Sequence, residues 1–138
     1  MILDDLGDYL STGGLGLTSG TNLFLGTWPD APDTACAIYE TGGFFPIHTM
    51  SASAGNAAVE RPRVQITTRA VKYQTARQLM HNVFQRLDGV SNQTIGSTRY
   101  LSIVAVSSPA AMGTDASGRA RFVVNMDIIK KLHTSTST

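Results

Sequence analysis

The residues of this 138-residue chain best suited to metal or nucleophile chemistry are three histidines and one cysteine. They do not converge. A zinc site needs four N, S or O ligands brought together from closely spaced positions. His48 falls in an irregular loop, His81 on the polar side of a predicted helix, and His133 in the tail. Cys36 is alone, so it can neither complete a zinc site nor form an internal disulfide. Its setting, Ala35-Cys36-Ala37-Ile38, predicts a buried, inert thiol, because a reactive one wants a basic, exposed environment. No serine occupies a G-x-S-x-G elbow. The run Gly13-Gly14-Leu15-Gly16 lacks the Lys-Ser/Thr ending of a phosphate loop and follows no strand; Gly13-Gly14 reads as a helix stop. Met112 to Arg119 sets Asp115 among turn residues, without the ligand series and closing Glu of a calcium loop, and is expected to be a plain hairpin turn. No catalytic, metal or cofactor-binding residue is assigned. The chain reads as a building block, not an enzyme.

Two groups of side chains remain as candidates for contact. Arg61, Arg63, Arg69, Lys72, Arg77 and Arg86 cluster in the middle third. Alternation along a strand puts Arg61, Arg63 and Arg69 on one face. That face is either a solvated surface with subunit salt bridges or a mildly basic channel lining near DNA. A net charge of +1 argues against wrapping duplex DNA, which takes clustered Lys and Arg. It leaves room for a ring through which DNA passes. No aromatic residues interleave these cations as a stacking platform for single strands would need. The second group is Trp28, beside a proline turn, with Phe44 and Phe45 after Gly42-Gly43. Such groups either tuck onto the core or anchor an interface.

The elements that must position these residues follow from periodicity. Ile2, Leu3, Leu6, Tyr9 and Leu10 predict a helix over 2–11, with Asp4, Asp5 and Asp8 near its positive end. Leu23-Phe24-Leu25 and residues 35–40 predict strands, expected to pair antiparallel around the turn 28–33. Residues 41–57 are expected to form a long loop, a contact arm in a building block. A strand over 64–70 follows Pro62. Helix 72–87 carries the stripe Tyr73, Ala76, Leu79, Met80, Val83, Phe84 and Leu87, and Gly89 stops it. Strands 100–106 and 121–129 are expected to form a hairpin around a loop at 107–119. The fold class is α+β: a mostly antiparallel twisted sheet flanked by two helices, both on one face. One domain spans 1–132, and the Ser/Thr-rich residues 133–138 are expected to be disordered. The 42% hydrophobic and 15% charged content fits a globular chain whose surfaces are covered by neighbours. No stretch nears the ~20 apolar residues of a membrane span, and no signal peptide is read, so synthesis is expected in the cytoplasm.

Three motifs carry a resemblance over most of the chain: Pro32-Asp33-Thr34-Ala35-Cys36-Ala37-Ile38-Tyr39-Glu40-Thr41-Gly42-Gly43, Glu60-Arg61-Pro62-Arg63-Val64-Gln65-Ile66, and Phe122-Val123-Val124-Asn125-Met126. With the element order, they resemble phage minor capsid and tail-completion proteins, closest to the tail terminator of long-tailed phages. The resemblance implies a tail-terminator-like virion protein, made in the host cytoplasm and needing no cofactor. It implies a ring of copies, usually a hexamer, at the head–tail junction. Its implied partners are the major tail tube protein, the head connector or stopper protein, and DNA passing through the lumen without sequence-specific binding. No membrane partner is implied. Regions 41–57 and 107–119 become contact candidates. Arg61, Arg63 and Arg69 become lumen or interface candidates, and Trp28, Phe44 and Phe45 candidate anchors. A head-completion adaptor or stopper on the connector, and a monomeric binding module, are the alternative readings.

Overall fold

The computed structural model describes residues 2–30, 32–47, 59–96 and 98–131. Helix α1 (Ile2–Ser11) buries Ile2, Leu6 and Leu10, one per turn, and holds Asp4 and Asp5 in its first turn, where the helix dipole favours carboxylates. Helix α2 (Tyr73–Leu87) buries Ala76, Leu79, Met80, Val83 and Leu87. Lys72 at its N-cap supplies no side-chain hydrogen bond. Packing therefore holds this helix: each buried Leu, Met or Val contributes about 1.5–3 kcal/mol. Phe84 is only partly buried, and Tyr73, expected in the stripe, is 56% exposed, its ring tilted against Phe122 at 5.1 Å. Asp88 closes the last turn through its N–H on the Phe84 carbonyl, and Gly89 follows at φ +88°.

Among the described residues seven strands form one sheet: β1 (Leu23–Leu25), β2 (Ala35–Ile47), β3 (Val59–Ala70), β4 (Val90–Ile95), β5 (Thr98–Ala105), β6 (Ala110–Thr114) and β7 (Ala120–Lys131). The order is β1-β2-β3-β7-β5-β4, with β6 also on β7. All pairings are antiparallel except β1 with β2, which run parallel, Leu23 opposite Cys36. The expected antiparallel hairpin there is thus corrected. The loop after β1 does not reverse tightly; it carries the chain back so that Cys36 donates its N–H to the Asn22 carbonyl. Two buried arginines, described below, hold that loop in place.

Three further departures have local causes. Residues 41–47, expected in a loop, continue β2 through register shifts after Glu40 and after Phe44. Gly43, at φ +125°, makes this possible: a Cβ there would collide with the Arg61 carbonyl opposite. Residues 48–57 of that expected loop, and 133–138, lie outside the described residues. Within the expected loop 107–119, Ala110 and Ala111 pair with Val123 and Phe122 as β6. Strand β4 was not expected, because Ser91 to Thr94 are all exposed and show no alternation.

The core lies between the helices and one sheet face. Ile38, Val64, Ile66, Ile103, Val124, Met126 and Ile128 face inward at alternating positions, as read for β3 and β7. Cys36 is fully buried, which pushes its thiol up to about 12. The sheet curls. Helix α1 touches β1 and β2 at one edge and β4 at the other, filling the seam between them. Tyr100 on β5 locks that seam by donating its hydroxyl to Asp5 Oδ2 at 2.9 Å.

Candidate functional site

Both helices pack on the inner face, so no described helix covers the outer face of the sheet. Its composition follows from register. Val104, Asp127 and Arg63 form one row across β5, β7 and β3. Asn125, Gln65 and Tyr39 form the next, and Val123, Thr67 and Ala37 the third. Val104 is 45% exposed and Ile129, two residues beyond Asp127, 36%. Within these three rows the surface is polar, with aliphatic groups set into it; Arg61 and Lys131 lie beyond them at one end, Arg69 and Arg121 at the other. Within these rows Arg63 pairs with Asp127: Nε to Oδ1 at 2.6 Å and Nη2 to Oδ2 at 3.4 Å. The carboxylate raises the proton affinity of Arg63. These rows suit protein contact better than polyanion binding, which takes clustered cations.

The structure separates the three sequence-named arginines. Arg61 and Arg63 lie half-exposed on the outer face near the start of β3. Arg69, on the same face at the other end, is only 1% exposed. It donates Nη2 to the carbonyls of Pro29 and Pro32, and its guanidinium sits 4.3 Å from the centre of the Trp28 ring. Burial, and then the nearby charge of Arg119, lower its proton affinity. Trp28 is half-buried as the roof of this arginine. Phe44 and Phe45 fall on β2, with side chains outside the described residues.

Arg119 was missed by sequence reasoning and is the second clamp on the loop. It is 5% exposed. It bonds the Asp30 carbonyl through Nη1, Asp30 Oδ1 through Nη2 at 2.9 Å, and Asp115 Oδ2 through Nε at 2.8 Å; Asp33 Oδ1 is 3.5 Å from Nη1. Asp115 also accepts the N–H groups of Arg119 and Ser117, at 2.9 and 3.0 Å. Those bonds, the Arg119 N–H first, hold its carboxyl below the usual value. The 107–119 region therefore does more than turn the chain: it braces the 28–33 loop. The available signal was the i, i+4 spacing of Asp115 and Arg119 across a Gly turn.

His81 lies exposed on α2, while His48 and His133 lie outside the described residues. Among the described residues no cluster of His, Cys, Asp and Glu could hold a metal. No described helix is long and apolar enough to cross a membrane.

Comparison with known proteins agrees with this picture. A chain in the virion of a native gene transfer agent particle superposes at a TM-score of 0.54, over 92% of this chain and 84% of that one. At 14% identity this is a likeness of fold. No curated protein matches. The family model described as bacteriophage tail terminator protein matches residues 5–132, nearly the whole chain. The chain therefore belongs to the bacteriophage tail terminator family and is a structural, non-enzymatic component of the virion.

Proposed function

We propose that copies of this chain form a ring, a hexamer, at the head-proximal end of a phage tail. The ring ends growth of the tail tube and joins the tail to the head connector or stopper. The observation that carries this reading is the open outer sheet face, on a chain whose family is fixed over residues 5–132. No described helix covers that face; its middle rows are polar, and Val104 and Ile129 stand exposed on it. A lone subunit gains nothing from exposing such a surface, whereas burial against a neighbour or the tube removes it from water. Arg61 and Arg63, at one end of this face, are the candidates for the lumen or for the contact between copies. DNA crosses the lumen without being read, in keeping with a net charge of +1.

Tail length in vitro tests the reading. Tail tube protein assembled on its initiating complex should stop at a defined length only when this chain is added, and the capped tails should then join filled heads. Tubes that lengthen equally with and without it would defeat the terminating role. Capped tubes were expected only for a terminator; binding to heads alone would favour a head-completion adaptor.

A further inference from the structure

Resting on the ring reading, we infer that the contact between neighbouring copies sets the acidic face of α1 against the groove between α2 and β6. Three observations lead there. First, the groove is built like a protein interface. It encloses about 370 Å³, with Met80, Phe84, Pro109 and Phe122 among its lining residues and Gln74, Arg77, Gln78 and His81 along its helix wall. Tyr73, whose ring meets Phe122, stands 56% exposed beside it. Aromatic residues, Met and Arg are enriched at such contacts and acids depleted, and no carboxylate occurs from Lys72 to Arg86. Arg77 has no acidic partner among the described residues.

Second, α1 carries the opposite charge. It holds Asp4, Asp5 and Asp8 and no cation. Asp5 is used within the subunit by Tyr100. Asp4 and Asp8 are exposed, one turn apart on one face, and neither has an ion-pair partner among the described residues. Third, the two patches sit at different places on the subunit. Helix α1 fills the seam between β1 and β4, whereas the groove borders β6 and the start of β7, mid-sheet. They therefore complement each other between copies. A ring requires this arrangement, because its repeated contact is heterologous: one patch meets a different patch on the next copy. The apolar floor of the groove supplies affinity, and the charges select the partner and set its register.

Two charge-reversed variants test this. One carries Asp4→Lys and Asp8→Lys; the other carries Arg77→Glu and His81→Glu. All four positions are exposed, so thermal unfolding should confirm that both variants fold. Each variant alone opposes like charges at the contact and should self-associate on the order of tenfold more weakly than the unaltered chain. Mixed, the lysine face of one meets the glutamate face of the other, and association between labelled copies of the two should return, weakening as salt rises. Loss in each alone with recovery in the mixture supports the contact, since misfolding would not be rescued by mixing. Rings of the unaltered chain that both variants still form equally well, or a mixture no stronger than either variant alone, would overturn this contact while leaving the ring reading intact. Failure of the unaltered chain to form rings, alone or on tail tubes, would instead defeat the ring reading and this contact with it.

Discussion

Replacing Tyr100 with Phe should unlatch the seam that α1 closes, and the structure gives the size of the effect. Tyr100 is fully buried, and its hydroxyl lies 2.9 Å from Asp5 Oδ2. A hydrogen bond to a charged group contributes about 1.5–3 kcal/mol. Asp5 is partly exposed, so water replaces some of the lost bond, and a cost near the lower figure, about 1.5 kcal/mol, is expected. For a domain of this size that is a fall in Tm of roughly 4–8 °C. The substitution has a second signature. Burial first, and then the hydrogen bond and charge of Asp5, raise the Tyr100 pKa above its ordinary 10.0. A raised folded-state pKa contributes stability that is full below the unfolded value and is lost as pH rises above it. The unaltered chain should therefore lose stability above pH 10, by no more than about 1 kcal/mol from this group between pH 10 and 11. Tyr100→Phe should remove that part of the alkaline decline. Urea unfolding of both chains at pH 7, 9, 10 and 11 measures both effects. Equal stability at pH 7 together with identical alkaline limbs would refute the latch.

Other consequences are directly measurable. Trp28 is the sole tryptophan, so its fluorescence reports the 28–33 loop; Arg69→Met or Arg119→Met should shift its emission to the red while the far-UV spectrum stays native. Because the Asp115 pKa is depressed, its contribution is present above 3.8 and lost as pH falls through its lower folded value, so the same red shift should begin below pH 3.8. Cys36, buried with its pKa raised to about 12, should resist a thiol reagent at pH 8 and react fully in denaturant. Gly43→Ala should destabilise the chain by about 1–3 kcal/mol in urea unfolding, since φ +125° and the Arg61 carbonyl leave no place for a Cβ.

The two helices and the inward faces of β3 and β7 were legible because each carries a clean period. The α2 stripe was read correctly at the five positions it buries, and Phe122 to Ile128 alternated as expected. What escaped was structure made by partners and not by pattern. Strand β4 shows four exposed polar residues in a row, so only its pairing with β5 defines it. Strand β6 is exposed throughout and exists because β7 is beside it. The loop that returns the chain beside the parallel β1 is gripped by two arginines distant in sequence, Arg69 and Arg119. Charge alternation placed Arg69 correctly on a face, but burial there follows from the loop folding over it, which no local pattern encodes. The polar middle of the outer face could have been foreseen from Gln65, Thr67, Val123 and Asn125, which alternate with the core positions of β3 and β7. Both described helices pack on the opposite face, as expected from the element order.

The central claim is assembly into a ring, and mass decides it most directly. Light scattering of the purified chain over a range of concentrations, with negative-stain imaging of any large species, should give particles of six copies around a central hole, either alone or once tail tubes are added. Persistence as a monomer under both conditions would contradict the account.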